Sequence, residues 1–305
     1  MTSITNAQQE LGAHMQSELE SQPEVWATAV QQAHAEGAAL LPAHGMKVAV
    51  VGCGTSWFMG QAYATLRENA GHGVTDAYAA SEASIDRDYD AIVAITRSGT
   101  TTEVLELLET TKGRIPSLVI VGDTGSPAVD AADKVIALPF ADEQSVVQTR
   151  FATTALAYLM TSLEHNLDQA IADATLAIEE PVDESLLGAE QFTFLGRGWT
   201  VGLAHEAALK MREASQMWTE SYPAMEYRHG PISIAATGRV AWLFGEEPRG
   251  LREDVNNTGG LFVTNGRNAL AELVRAQKVS LERARLKGLN PDQPRNLTRS
   301  VVLEG

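Results

Sequence analysis

Short apolar runs alternate with longer amphipathic segments along most of the chain. From Lys47 onward, runs such as KVAVV, DAIVAIT and SLVIVG are each followed by a segment in which apolar residues recur at helical spacing. Strands that are apolar at nearly every position are typical of a parallel sheet covered by helices on both faces. The pattern therefore predicts an α/β fold built from strands and crossover helices.

The second half of the chain repeats this plan. The elements predicted there are a strand in QFTFLGRG, a helix at 199–217, strands near 239–244 and 260–264, and a helix around 268–287. Helical spacing also covers 7–40, with a break at Pro23, and 148–178, which ends at a charged, proline-containing stretch. The predicted division is a helical arm at 1–30, a first subdomain at 31–178, and a second subdomain with a C-terminal tail at 179–305.

Composition narrows the classes of function. The 305 residues carry a formal net charge of −16, which argues against a general nucleic-acid binder because such proteins need clustered Lys and Arg. Cys53 is the only cysteine, so neither an intrachain disulfide nor a multi-cysteine metal site is expected. The N-terminus lacks the apolar core of a signal peptide, and no run reaches the roughly 20 apolar residues of a membrane helix. We expect a cytoplasmic protein that binds neither membrane nor nucleic acid.

A glycine turn follows the strand KVAVV. Gly52 and Gly54 resemble the start of a dinucleotide fingerprint, but Trp57 at the third glycine position disfavours it. Thr55 and Ser56 instead place hydroxyls beside the amides of a helix N-terminus, an arrangement that suits a compact anion. The alternative is that one of these hydroxyls merely caps the helix.

A second turn of the same kind follows DAIVAIT and runs from Thr96 to Thr101. Capping needs one hydroxyl, whereas this turn supplies four, so we favour an anion site. Neighbouring parallel strands end at one edge of a sheet, and both turns can therefore face one ligand. Arg97 either adds charge there or is solvated. Cys53 is more simply a small residue at a strand end than a nucleophile.

Acidic and basic side chains cluster in the segment HEAALKMREASQMWTESYPAMEYRHGP. Glu206, Lys210 and Glu213 are spaced to share one helix face, and we place Glu220 further along the same helix. The alternative is a common surface ion pair. His229 precedes a Gly-Pro bend, and imidazole is the side chain best suited to proton transfer near neutral pH.

Seven motifs together resemble the sugar isomerase (SIS) domain family, specifically the isomerase half of glucosamine-6-phosphate synthase and its stand-alone relatives. They are MQSELESQPEV, VGCGTS, ITRSGTTTEVL, DEQSVVQTRFATT, LGRGWTVGLAHEAALKMREAS, EYRHGP and NPDQPRNLTRSVVLE. The resemblance spans nearly the whole chain. It implies two tandem SIS-type subdomains, each a parallel β-sheet flanked by helices in three αβα layers.

The resemblance also implies roles for individual residues. The phosphate of a phosphosugar is expected on Ser56, Thr96, Ser98 and Thr101, with Thr55 nearby. Glu213 is expected to move a proton between C1 and C2, and His229, which can come from a neighbouring subunit, to open the sugar ring. Lys210 is a further catalytic candidate, which could take the role of the imine-forming amine. The further substrate-binding residues are Cys53, Gly54, Arg97, Val146 and Arg299. A homodimer or higher homo-oligomer is expected, with no cofactor and no metal.

The chain departs from the family pattern at several positions. Arg299 stands where relatives carry a lysine that can form an imine, and a guanidinium forms imines poorly. Arg97 and Gln148 replace a glutamine and a serine, so the sugar selected can differ. No glutaminase domain precedes residue 1 in this sequence, and glutamine-dependent synthesis is therefore not expected.

These residues suit an enediol or enolamine mechanism, in which a carboxylate moves the proton and a second group handles the ring oxygen. The leading hypothesis is aldose–ketose isomerisation, or isomerising deamination, of a hexose or aminohexose 6-phosphate. Two alternatives remain open. One is a non-catalytic sugar-phosphate sensor, and the other is a deglycase whose substrate carries an amino acid that meets Arg299.

Overall fold

The computed structural model describes residues 10–303, whose contacts divide them into two compact units. The N-terminal unit contains Ser21–Gln144, Gln148–Leu167 and 298–303, and the C-terminal unit contains 10–20, Ser145–Val147 and Asp168–Leu297. The sequence-based division was sequential, whereas these units are interleaved along the chain. Residues 1–9 of the predicted arm lie outside the described residues.

The N-terminal unit is built around a five-stranded sheet of order β2-β1-β3-β4-β5, in which all neighbours are parallel. Its strands are β1 (Val48–Gly52), β2 (Thr75–Ala79), β3 (Ala91–Thr96), β4 (Ser117–Val121) and β5 (Lys134–Ala137). Its helices are α2 (Gln22–Leu40), α3 (Thr55–Asn69), α4 (Thr102–Thr111), the short α5 (Ala128–Ala131) and α6 (Arg150–Ser162).

The central strands of this sheet are buried because helices cover both faces. Every residue of β1 and β3 is buried. Ala49 and Val51 lie in one apolar cluster with Leu108 of α4. Val50 points to the opposite face, where its Cγ1 atom would lie 3.1 Å from a Cβ on Gly60 of α3. This alternation explains why the strands read as unbroken apolar runs.

The C-terminal unit contains a four-stranded parallel sheet of order β7-β6-β8-β9. Its strands are β6 (Gln191–Gly196), β7 (Thr219–Pro223), β8 (Arg239–Phe244) and β9 (Leu261–Val263). Its helices are α1 (Ala13–Glu20), α7 (Asp168–Glu179), α8 (Glu184–Gly188), α9 (Thr200–Ser215), α10 (Leu251–Asn257) and α11 (Ala269–Leu286).

Segments distant in sequence complete the C-terminal unit. Met15 of α1 packs with Val147 and with Leu281 of α11 in one buried cluster. Asp292 accepts hydrogen bonds from the amides of His14 at 3.0 Å and Met15 at 2.9 Å, so it stabilises the start of α1. These contacts explain why the beginning of the described chain packs with its second half.

The two parallel sheets with flanking helices confirm the predicted fold class, while several local predictions were wrong. The edge strands β2 and β7 were missed because both are rich in polar residues. The predicted helix at 148–178 is two helices, and Glu164 between them has a φ of +64°. Among residues 10–303, no helix combines the length and apolar character needed to cross a bilayer.

Candidate functional site

The two hydroxyl-rich turns follow neighbouring strands of the N-terminal unit. β1 and β3 pair in parallel with Val51 opposite Ala94, so both turns leave the same edge of the sheet. In the first turn, a Cβ on Gly52 would lie 2.8 Å from the Cβ of Ser56, and only glycine permits this close approach.

The hydroxyls of the first turn are not used for capping. Gly54, with a φ of +52°, occupies the N-cap of α3, and no side chain caps this helix. Thr55 and Ser56 are each 5% exposed. Neither hydroxyl makes a hydrogen bond within residues 10–303, so the alternative of a helix cap is wrong here.

In the second turn, two hydroxyl oxygens accept hydrogen bonds from backbone amides. The Oγ1 of Thr96 accepts a hydrogen bond from the amide of Gly99 at 3.2 Å, and the Oγ of Ser98 accepts from the amide of Thr100 at 3.3 Å. These bonds use the oxygens as acceptors and leave the hydroxyl protons to donate. Thr101 is the N-cap of α4 but makes no capping hydrogen bond. Donors of this kind suit an anion.

The C-terminal tail lies against this second turn. Ser300 Oγ is 2.9 Å from Thr100 Oγ1, and the carbonyl of Val301 accepts from the amide of Thr102 at 3.1 Å. The amide of Leu303 donates to Thr102 Oγ1 at 2.9 Å. Ser300 was missed by sequence analysis, because nothing in a local pattern predicts a contact across 200 residues.

Arg97 and Arg299 take part in the same attachment of the tail. Arg97 is 5% exposed and donates to the carbonyl of Arg299, so the alternative of a solvated Arg97 is wrong. Arg299 in turn donates to Asp142, with 2.6 Å between Nη2 and Oδ1. A carboxylate of the protein therefore holds the guanidinium of Arg299.

The structure also describes the environments of three further residues that the sequence analysis named. Cys53 is half-buried, and burial together with the charge of Glu103 raises the pKa of its thiol to about 11, against an activated nucleophile. Val146 belongs to the C-terminal unit, where its amide donates to the carbonyl of Asp292 at 3.3 Å. Gln148 lies in the N-terminal unit, and its buried Nε2 has no acceptor among the described residues.

The acid–base cluster of the C-terminal unit lies on α9. Lys210 forms ion pairs with Glu213 and with Glu206, whose Oε1 is 3.6 Å from the lysine Nζ. The side chains of Lys210 and Glu206 are 1% and 0% exposed, while that of Glu213 is 19% exposed. The alternative of a surface ion pair is therefore wrong, and Glu213 is the member of the cluster that reaches solvent.

His229 lies on the surface of the same unit. It follows a 3₁₀ turn at Glu226–Arg228, and its amide donates to the carbonyl of Glu226 at 2.9 Å. Gly230 has a φ of +129°, which favours glycine at this bend. Glu220 was placed wrongly by the sequence, because it lies on the edge strand β7 and not on α9.

Sequence analysis also missed polar groups between α9 and β7. His205 Nδ1 lies 2.9 Å from Ser221 Oγ, and burial together with the charge of Arg212 lowers the pKa of this imidazole. Arg212 donates to Thr219 Oγ1 at 3.0 Å. Trp218, between the two elements, is 80% exposed. Its position shortly after the end of α9 is the feature of the sequence that could have indicated these groups.

Comparison with known proteins agrees with the motifs. The SIS domain model matches residues 40–163. A glutamine–fructose-6-phosphate aminotransferase (isomerising) of Yersinia pseudotuberculosis is 27% identical over 84% of this chain and 52% of its own length. The Sulfolobus acidocaldarius protein of the same description is 28% identical over 85% of this chain and 50% of its own. The chain thus spans about half the length of these relatives.

Solved structures share the fold. Glucosamine-6-phosphate deaminase of Thermotoga maritima superposes with a TM-score of 0.81 at 22% identity, covering 94% of this chain and 99% of that one. The tagatose-6-phosphate ketose/aldose isomerase of Escherichia coli gives a TM-score of 0.78 at 17% identity, covering 95% and 98%. The family resemblance is confirmed in this form: residues 40–163 match the SIS domain model, and most of the chain is similar in sequence to the isomerising aminotransferases.

Proposed function

We propose that this chain is an enzyme that moves a proton between C1 and C2 of a hexose or hexosamine 6-phosphate. The products are the isomeric sugar phosphate or, for an amino sugar, the ketose phosphate and ammonia. Glu213 is the proposed proton carrier, and His229, contributed by a second subunit of a homodimer, is the proposed group that opens the ring. No cofactor takes part in this scheme.

The observation that carries the proposal is the buried ion cluster of α9. Lys210 holds two carboxylates, and only that of Glu213 is exposed enough to meet a ligand. A buried cation beside a carboxylate that can reach substrate is a suitable arrangement for repeated gain and loss of a proton. The names of the SIS relatives, an isomerising aminotransferase and a deaminase of phosphosugars, support the same class of reaction.

The proposed phosphate ligands are the hydroxyls of Ser56, Thr96, Ser98 and Thr101, with Thr55 beside them. Support comes from the absence of helix capping by these side chains and from their place at two strand ends of one sheet. Gly54, Cys53 and Arg97 are the proposed neighbouring contacts, and Arg299 and Val146 remain candidates for contacts to the sugar.

The decisive test supplies hexose and hexosamine 6-phosphates to the wild-type protein and to Glu213→Gln. We expect ammonia or isomer formation and solvent deuterium exchange at C1 and C2 with the wild type, and loss of both with Glu213→Gln. Glu226→Gln is the matched control, because Glu226 is an exposed carboxylate in the same segment. Absence of turnover and exchange with every sugar refutes the proposed enzyme.

Binding is tested separately by calorimetry with a hexose 6-phosphate. Ser98→Ala and Thr101→Ala should each weaken affinity, since each removes a hydrogen-bond donor to a charged group. Thr110→Ala is the control, because Thr110 is an exposed hydroxyl on the last turn of the same helix. Unchanged affinity in both site variants places the phosphate elsewhere.

A second candidate function is a non-catalytic sensor of sugar phosphates. The observation that favours it is the attachment of Arg299 to Asp142, at a position where the family resemblance implies a lysine able to form an imine. A sensor binds the sugar phosphate with the same dependence on Ser98 but shows no isotope exchange at carbon. The deuterium experiment therefore separates the two functions.

A further inference from the structure

A cavity of about 460 Å³ opens in the N-terminal unit where three helices end. α2 ends at Leu40, α3 at Asn69 and α6 at Ser162, and residues of the connections that follow them line the cavity. The first two connections lead into β1 and β2, so the cavity lies at the edge of the sheet where these strands begin. The hydroxyl-rich turns leave the opposite edge. The cavity is therefore separate from the proposed phosphate site.

Three of the seven histidines of the chain line this cavity, together with one carboxylate. They are His34 on α2, His44 before β1 and His72 before β2, and the carboxylate is that of Glu164, after α6. Imidazole suits zinc, copper and nickel ions, and zinc also accepts carboxylate ligands. The cavity thus gathers four side chains of the types that bind transition metals.

His44 and His72 lie against each other. Their ring centroids are 5.1 Å apart, and the rings are tilted by 58°. Two imidazoles on one tetrahedral zinc ion, with Zn–N bonds of about 2.0–2.1 Å, have their centroids about 5 Å apart. The backbone holds the pair together, because the amide of Gly45 donates to the carbonyl of His72 at 2.9 Å. The separation of the two rings therefore fits one shared metal ion.

The electrostatic surroundings suit a metal ion bound to neutral imidazole. Burial, together with the charges of His44 and Arg67, lowers the pKa of His72, while Glu164 opposes the shift. His72 is therefore neutral near neutral pH, and its nitrogen lone pair is available to a metal. The dipoles of three helices also place partial negative charge at their C-terminal ends, which favours a cation at this position.

We propose that this cavity binds one divalent transition-metal ion of the zinc type through His44 and His72. Among residues 10–303, no three side chains of metal-binding type already stand close enough to hold an ion together. The two imidazoles therefore form the fixed part of the site. His34 and Glu164 are exposed, so either can turn to supply a third ligand, and water completes the coordination.

A shared ion would join separate parts of the N-terminal unit. His44 lies on the connection from α2 to β1, and His72 on the connection from α3 to β2, so one ion crosslinks the two. Because the unfolded chain does not hold these residues together, binding stabilises the folded unit. This role goes beyond the proposed function and does not depend on it, since the ion takes no part in the proton transfer.

The experiment titrates Zn²⁺ into metal-free protein without a histidine tag, by calorimetry near neutral pH. We expect one saturable ion per chain. His44→Gln and His72→Gln should each weaken affinity by at least about tenfold, because loss of even an outer-shell partner costs about 10–100-fold. His165→Gln should leave affinity unchanged. It is the matched control, since His165 is an exposed histidine beside Glu164 that lies outside the lining.

Hydrogen exchange of the wild-type protein gives a second measurement that does not depend on the folding of a variant. Zn²⁺ should slow exchange in peptides covering 41–46 and 70–74 and leave those covering β9 unchanged. Absence of saturable binding, unchanged affinity in either site variant, an equal loss in His165→Gln, or absence of this local protection overturns the assignment. None of these measurements requires turnover, so their outcome and that of the proposed function are independent.

Discussion

Replacing Lys210 by methionine removes the cation that lies between Glu206 and Glu213. Methionine fills a similar volume, so the effect reports mainly on charge. Glu206 is 0% exposed and would remain as a buried carboxylate without its ion pair, whereas Glu213, at 19% exposed, can turn toward water. Removing one partner of a buried ion pair destabilises proteins by about 3–5 kcal/mol, and we expect Lys210→Met to fall in that range.

Two further variants make the Lys210 prediction specific. Adding Glu206→Gln to Lys210→Met neutralises the stranded carboxylate, and we expect the double variant to recover at least about 1–2 kcal/mol relative to the single one. Arg197→Met breaks an exposed pair in the same unit, where Nη1 lies 3.7 Å from Glu246, and should change stability by about 0–1 kcal/mol.

Urea unfolding followed by circular dichroism measures the total effect of these variants. Hydrogen exchange of peptides from α9 assigns it to the C-terminal unit, because two units need not unfold together. A Lys210→Met protein within about 1 kcal/mol of the wild type would refute the reasoning. So would a double variant no more stable than Lys210→Met alone, since it would mean that the stranded charge is not the source of the loss.

Three other outcomes are expected. Gly99→Ala should markedly lower the melting temperature, because its Cβ would lie 2.6 Å from the Cβ of Ser126 at a φ of +62°. Gly113→Ala, with a φ of +73° and nothing within 4 Å, should cost only about 1–2 kcal/mol of backbone strain, and equal losses would contradict the clash. Because the pKa of His205 is lowered in the folded protein, the unfolded chain binds the proton of this imidazole more readily. The free energy of unfolding should therefore fall as pH drops below 6.5. In urea titrations, His205→Gln should flatten that pH dependence. Iodoacetamide should alkylate Cys53 slowly at pH 8 and faster as pH approaches 11, and rapid labelling at neutral pH would contradict its raised pKa.

Features set by local patterns could be predicted from the sequence. β1 and β3 are apolar at almost every position because both of their faces are covered, and the turns that follow them combine glycine with hydroxyl residues. β7 could not be found in this way, since an edge strand with Thr, Glu and Ser lacks the apolar run. The break after α6 was missed because Glu164 adopts a positive φ without a glycine or proline to signal it.

In the candidate site, likewise, only contacts between residues close in sequence could be predicted. Helical spacing placed Lys210 beside Glu206 and Glu213, but spacing alone cannot say whether such a cluster is buried. Its burial depends on the sheet and on α11, which packs against α9 and lies far away in sequence. The attachment of Arg299 to Asp142 spans 157 residues and has no local signal at all.

The interleaving of the two units has a consequence for biosynthesis. The chain passes from one unit to the other after residues 20, 144, 147, 167 and 297. Because 298–303 follow the whole C-terminal unit, a ribosome must complete that unit before the tail can reach Thr100 and Thr102. The second hydroxyl turn thus emerges early and acquires its tail contacts late. Within residues 10–303, no single cut of the chain separates the two units.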